Sequence, residues 1–247
     1  MRRLLLAALL CALALPAWAQ IGLTGAGGFK PTAAGATNIA FNSAADLGNN
    51  GGSGNFSASY TSGSGSHRLL VACIAGDDST GTDSITGVTY NSVAMTLGAK
   101  KQVTGARWTY VYYLLNPASG ANTLAITQTG GNFLVVGAAD YTGVKQSGQP
   151  DATATNDTGG SHATSLTTSV TTVADKSWAI MCDQGPDKQA TAGTGATRRA
   201  VDAAFADWAI FDSNGAITPA GSYSMTALTT DGSSQIMGQV IVSFSPG

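Results

Sequence analysis

The sequence contains no glutamate, and only 11% of its residues are charged. Without glutamate there is neither a His-Glu-x-x-His zinc site nor the glutamate pair that many glycosidases use as acid and base. The residues that usually cover helix surfaces are scarce, whereas 32 glycines and many serines and threonines favour strands and turns. We therefore predict an all-β protein.

Basic residues and catalytic motifs are also scarce. Twelve Lys and Arg against 14 Asp give a net charge of −2, so we expect no nucleic-acid partner. The two histidines, His67 and His162, each precede a predicted strand, and we interpret both as solvated turn residues. The chain has no Gly-x-Ser-x-Gly, Walker-type or Cys-x-x-Cys motif. These absences favour a protein that is not an enzyme.

Long apolar runs are absent except at the N-terminus. Two arginines precede the apolar segment Leu4–Pro16, and Ala17-Trp18-Ala19 supplies the small-x-small pattern of a signal-peptidase site. The run is shorter than the roughly 20 residues that span a bilayer. We predict a cleaved signal peptide over residues 1–19 and no membrane span. The destination is the cell surface or the medium, with the periplasm as the alternative.

A Gly/Ala-rich segment without periodicity, residues 20–36, is interpreted as a linker before a β domain over residues 37–247. Within that domain, strand-like segments alternate with turns rich in Gly, Asn, Asp and Ser. The predicted strands are residues 38–42, 55–61, 68–75, 87–97, 107–115, 122–128, 132–141, 165–173, 177–182, 196–203, 207–211, 222–229 and 235–244.

The chain contains a weak duplication. Residues 68–78 and 177–187 share three matches at one offset of 109 positions: Cys73 with Cys182, Gly76 with Gly185, and Asp78 with Asp187. Each half also ends in a strand that carries a glycine, Gly137 or Gly238. We predict two related halves, about 37–145 and 150–247, whose apolar faces cover each other in one two-sheet β-sandwich.

Cys73 and Cys182 are the two cysteines that remain after the predicted cleavage. In an exported protein, such a pair favours a disulfide. Strands related by the duplication would bring the two residues together if they lie side by side. Two buried free thiols are the alternative.

Four segments of the first half resemble a recurrent jelly-roll-type module of secreted bacterial proteins and some phage-encoded surface proteins. They are Arg68–Val71, Gly87–Thr96, Tyr113–Pro117 and Gly137–Val144. The resemblance covers most of residues 55–145 and, more weakly, the second half. It implies a jelly-roll-like sandwich and a surface location, and it implies no activity and no catalytic residue.

An aromatic stripe is the first candidate binding site. Trp108, Tyr110 and Tyr112 alternate along one strand and so share one face. Flat rings stack on sugars, so the stripe could bind a glycan, and the nearby Lys100, Lys101 and Arg107 could hold an acidic one. The alternative is that the stripe packs into the core.

The loop 77–83 is a candidate calcium site because Asp77, Asp78 and Asp83 offer carboxylate oxygens, although the EF-hand spacing is missing. Asp183 and Asp187 lie in the matching segment of the second half. The alternative is an ordinary polar loop between two strands. No other cofactor is indicated.

The sequence favours a secreted, non-catalytic β-sandwich that binds a polysaccharide or a cell surface, or that has an extracellular structural role through self-assembly. One alternative is a secreted hydrolase that uses aspartates such as Asp78 and Asp187. The other is a phage or virion surface component.

Overall fold

Every regular element in the described part of the chain is a β-strand, which confirms the all-β prediction for these residues. The computed structural model describes residues 37–52, 54–77, 81–105, 107–130, 133–185, 190–202, 208–230 and 232–247. The predicted signal peptide and linker, residues 1–36, lie outside them.

The first half is a jelly roll of two antiparallel sheets. Its strands are β1 (Ala40–Asn49), β2 (Phe56–Ser62), β3 (Leu69–Asp77), β4 (Ile85–Tyr90), β5 (Val93–Ala94), β6 (Thr96–Val103), β7 (Arg107–Leu115), β8 (Gly120–Gln128) and β9 (Phe133–Thr142). One sheet has the order β1-β9-β3-β7-β6 and the other β2-β8-β4-β5. The first strand pairs with the last, β2 with β8 and β3 with β7, which is the nested pairing of a jelly roll.

The second half repeats this strand order. Its strands are β10 (Ala152–Asp157), β11 (Ser165–Thr171), β12 (Trp178–Gln184), β13 (Ala190–Ala192), β14 (Thr197–Val201), β15 (Trp208–Asp212), β16 (Ser222–Thr229) and β17 (Gly238–Phe244). Its two sheets are β10-β17-β12-β15-β14 and β11-β16-β13. Each strand occupies the place of its counterpart in the first half, as the predicted duplication requires.

The two five-stranded sheets pack face to face, so the architecture has four sheets and not the two that the sequence analysis expected. The cause is visible in β3. Leu69, Val71 and Cys73 face the core between the halves, whereas Leu70 and Ala72 face the core inside the first jelly roll. A strand covered on both faces has a continuous apolar sequence, in contrast to the alternating pattern of a strand with one wet face.

The disulfide partners lie at the centre of this interface between the halves. Cys73 on β3 and Cys182 on β12 occupy equivalent strands, and their Cα atoms are 5.6 Å apart, a separation that suits a disulfide. Their sulfur atoms are within bonding distance. The predicted pairing therefore agrees with the structure.

Gly137 and Gly238 lie on the last strand of each half, β9 and β17, as predicted, but not at equivalent positions. Gly137 pairs with Cys73, whereas the residue that pairs with Cys182 is Val240. Gly137 has its own packing reason, because a side chain there would overlap the indole of Trp208 from the opposite half. A two-residue slip on a strand keeps the same face, which is why sequence pattern alone does not detect it.

The predicted strand over residues 87–97 is a hairpin. Asn91 and Ser92 both have positive φ, 49° and 62°, and they connect β4 to β5. Two central residues with positive φ match the two-residue turn that suits the twist of antiparallel strands.

Candidate functional site

An open groove of about 490 Å³ lies at one end of the first jelly roll. Three segments form it: the start of β1, the connection between β2 and β3, and the end of β9. Its lining residues are Thr37, Asn38, Phe41, Asn42, Ser64, Gly65, Ser66, Thr142 and Gly143. The pairing of β1 with β9 brings these distant segments together.

The groove is polar but uncharged: six of the nine lining side chains are Asn, Ser or Thr. Within the described residues, the side chains of Asn38, Ser64, Ser66 and Thr142 make no hydrogen bond, and so they are free to bond a ligand or water. The Thr37 hydroxyl donates to the Gly247 carbonyl at 3.0 Å. The arrangement offers both donors and acceptors and no formal charge.

Phe41 is the aromatic residue of the groove, and residues of both halves hold it. Its ring packs edge-on against Tyr141, with centroids 5.7 Å apart, and the Arg199 guanidinium lies 4.1 Å from its centroid. Arg199 donates to the buried Asp212 at 2.6 Å, and the Tyr141 hydroxyl bonds the same carboxylate. Burial is the main cause that raises the pKa of Tyr141 well above its usual value, and the negative charge of Asp212 raises it further.

A buried carboxylate, Asp140, lies next to the groove and is only 2% exposed. Its Oδ1 accepts hydrogen bonds from the Ser43 hydroxyl at 2.6 Å and the Tyr60 hydroxyl at 2.7 Å. Its Oδ2 accepts from the Asn42 amide at 2.7 Å and the Gly63 backbone N–H at 2.8 Å. Burial is the main cause that raises the pKa of Tyr60, so its hydroxyl stays a donor.

The aromatic stripe does not form the open platform that the glycan prediction needs. Tyr110 and Tyr112 are 2% and 9% exposed and belong to the core of the first jelly roll. Trp108 is half-buried and stacks on Tyr110 with a 5.9 Å centroid separation. Burial raises the pKa of Tyr112 to about 12. These rings pack into the core, which was the alternative considered for them, because the sheet β2-β8-β4-β5 covers this face of β7.

The calcium loop is only partly described. Asp83 forms an ion pair with Lys100 and accepts a hydrogen bond from the Tyr110 hydroxyl at 2.9 Å, so protein donors hold this carboxylate. Asp77 is exposed at the end of β3. Asp78 lies outside the described residues, within which no three metal-ligating side chains come together. Calcium binding stays a prediction.

The matching segment of the second half differs from the expected loop. Asp183 lies on β12 and is only 1% exposed, with its Oδ1 accepting from the Gln239 amide at 3.0 Å. Burial raises the pKa of Asp183 to about 7. Asp187, the second aspartate proposed for hydrolysis and for calcium, lies outside the described residues.

Both histidines are exposed. His67 has a positive φ of 55°, and its Nδ1 lies 3.2 Å from the Thr37 hydroxyl at the groove. His162 Nδ1 lies 3.1 Å from the Ser234 carbonyl. Within the described residues, neither histidine contacts a carboxylate, so no catalytic triad is assembled around them.

No sequence pattern predicted the groove. Phe41, Asn42, Ser64 and Thr142 carry no motif, and long-range strand pairing alone brings them together. Asp140 did carry a signal, because it interrupts the apolar segment 134–141. A charged residue within an apolar strand is informative, since such residues are buried only with partners.

Comparison of the chain with protein-family models, curated proteins and solved structures found no match. Within the described residues, no helix is long and apolar enough to cross a membrane.

Proposed function

We propose that the protein is exported and binds an uncharged carbohydrate in the groove at the end of its first jelly roll. The observation that carries the proposal is the lining, which combines six neutral hydrogen-bonding side chains with one aromatic ring and no charged residue. Neighbouring sugar hydroxyls both donate and accept, as do the amides and hydroxyls of Asn, Ser and Thr. Phe41 adds an apolar contact of the kind that binding sites combine with a few polar groups.

The absence of charge from the lining favours neutral over acidic glycans. A carboxylated or sulfated ligand is usually held by Arg or Lys in charge-assisted hydrogen bonds. Two of the three cations considered for an acidic glycan are engaged elsewhere, because Lys100 pairs with Asp83 and Lys101 with Asp157. The proposed ligand is therefore a neutral polysaccharide.

The disulfide supports the proposed export. Disulfides persist in oxidising compartments and are rare in the cytosol. The Cys73–Cys182 pair joins the central strands of both halves, where it is covered by the interface. With the predicted signal peptide, it favours the cell surface or the medium as the site of action.

Retention on insoluble cellulose, chitin, xylan and starch tests the proposal. Ser64→Arg places a long charged side chain in the groove, and Ser165→Arg makes the same change at an exposed position of β11. We expect the wild type and Ser165→Arg to be retained on at least one polymer and Ser64→Arg to be lost from it. Equal retention of both variants, or no retention of the wild type on any polymer, would contradict the proposal.

A further inference from the structure

We infer that Asp140 is a positioning residue that sets the shape of the groove without touching the ligand. The inference rests on the proposed function. Its basis is that one oxygen, Oδ2, accepts from two different groove segments: the Asn42 amide on β1 and the Gly63 N–H in the connection after β2. A buried carboxylate with donors from several segments fixes their separation, because leaving its oxygens short of hydrogen-bond donors is costly.

The packing around this carboxylate is close. A side chain at Gly63 would overlap the Asn42 amide, so the glycine lets the two segments approach each other. Across the groove, a side chain at Gly143 would overlap the Asn38 carbonyl. The segments that form the groove therefore approach each other closely at two glycines, and one of these, Gly63, donates to Asp140.

The Asp140 carboxylate also determines which atom of the Asn42 side chain is available to a ligand. Its amide nitrogen donates to Asp140, while its Oδ1 accepts no hydrogen bond from the described residues. Asn42 is exposed and lines the groove. At this position the groove therefore presents an acceptor, which suits a donating sugar hydroxyl.

The second half contains a comparable carboxylate. It lies next to the first strand of that half, β10, whereas Asp140 lies on the last strand of the first half, β9. Ser243 pairs with Ala179 on β12 as Asp140 pairs with Leu70 on β3, and here the carboxylate is Asp151, next to β10. Asp151 accepts from the backbone of Val173 at 2.8 Å and of Ala174 at 3.0 Å, as well as from the Ser177 and Ser243 hydroxyls. It ties the connection between β11 and β12 to β10 and β17 and lies outside the groove lining. Asp151 is thus a matched control for a purely structural role.

The test compares Asp140→Asn with Asp151→Asn. The probe is the polymer among cellulose, chitin, xylan and starch that retains the wild type most strongly, used as its soluble oligosaccharide. We expect Asp140→Asn to weaken binding on the order of tenfold, since two donors lose a charged acceptor. Asp151→Asn should bind within about twofold of the wild type, because its hydrogen bonds lie outside the groove. Equal binding by all three proteins, or equal loss in both variants, would overturn the inference.

A second readout does not depend on a ligand. In the NMR spectrum, the Gly63 backbone amide should be protected from hydrogen exchange in the wild type and in Asp151→Asn, and unprotected in Asp140→Asn. Retained protection in Asp140→Asn would overturn the positioning role. If the wild type binds no polysaccharide but this protection is lost as expected, the proposed function fails and the positioning role stands.

Tyr60→Phe is a milder variant should Asp140→Asn not fold. It keeps the ring, lies outside the groove lining, and removes one donor from the Asp140 Oδ1. We expect binding several-fold weaker than that of the wild type, through looser anchoring of the carboxylate. Wild-type affinity, together with unchanged protection of the Gly63 amide, would argue against the inference.

Discussion

Replacing Asp183 by asparagine should make the protein more stable at neutral and alkaline pH. Asp183 is buried inside the second jelly roll, and its hydrogen bond from Gln239 does not compensate for the loss of water. Burial raises its pKa from 3.8 to about 7. Asparagine keeps the shape and the Oδ1 acceptor but never carries the charge.

The size and sign of the effect follow from that shift. The folded protein binds the Asp183 proton more tightly than the unfolded chain, so this residue destabilises the fold as pH rises from about 4 to about 7. A difference from 3.8 to about 7 corresponds to roughly 4 kcal/mol at 1.36 kcal/mol per unit. The penalty is below about 1 kcal/mol at pH 4 and complete above pH 8.

Urea denaturation at pH 4, 6 and 8 measures this penalty. We expect the free energy of unfolding of Asp183→Asn to lie within about 1 kcal/mol of that of the wild type at pH 4 and to exceed it by roughly 4 kcal/mol at pH 8. Asp175→Asn removes an exposed carboxylate and is the control, with the wild-type pH profile. A wild-type pH profile for Asp183→Asn, or lower stability than the wild type at pH 8, would contradict the prediction.

Three further predictions concern the fold. The double variant Cys73→Ala/Cys182→Ala should lower the free energy of unfolding by about 4–5 kcal/mol, because the disulfide restricts the unfolded chain across a 109-residue separation. Urea denaturation curves of the wild type that are the same with and without reductant would contradict this prediction. Gly137→Ala should cost about 1–3 kcal/mol by crowding Trp208, whereas Gly221→Ala, with open space around it, should cost little; equal melting temperatures of the two variants would contradict it. Ser92→Gly should gain about 1 kcal/mol because φ is 62° there, and Ser92→Ala should gain nothing; a lower melting temperature of Ser92→Gly would contradict it.

The strands whose faces differ in polarity were predictable from sequence. β16 alternates serine and threonine with buried Met225 and Ala227, and β11 does the same around Leu166 and Val170. Period-2 alternation reports one covered face directly. β6 and β10 were missed, since Gly98, the two lysines of β6 and the alanines of β10 have low strand propensity.

The number of sheets was not predictable in the same way. The apolar segment 69–75 shows that both faces of β3 are covered, but it does not say by which element. The groove depends on the same missing information. Asn42, Ser64 and Thr142 approach one another only because β1 pairs with β9, and strand pairing across about 100 residues leaves no local sequence signal.

Titration of the isotope-labelled protein with soluble cellulose, chitin, xylan and starch oligosaccharides, followed by NMR, tests the central claim most directly. We expect saturable shifts for one of them, concentrated at the backbone amides of Ser64, Gly65, Ser66, Thr142 and Gly143. Shifts concentrated around Trp108, or on the sheets β2-β8-β4-β5 and β11-β16-β13, would contradict the claim. So would the absence of a saturable shift with all four oligosaccharides.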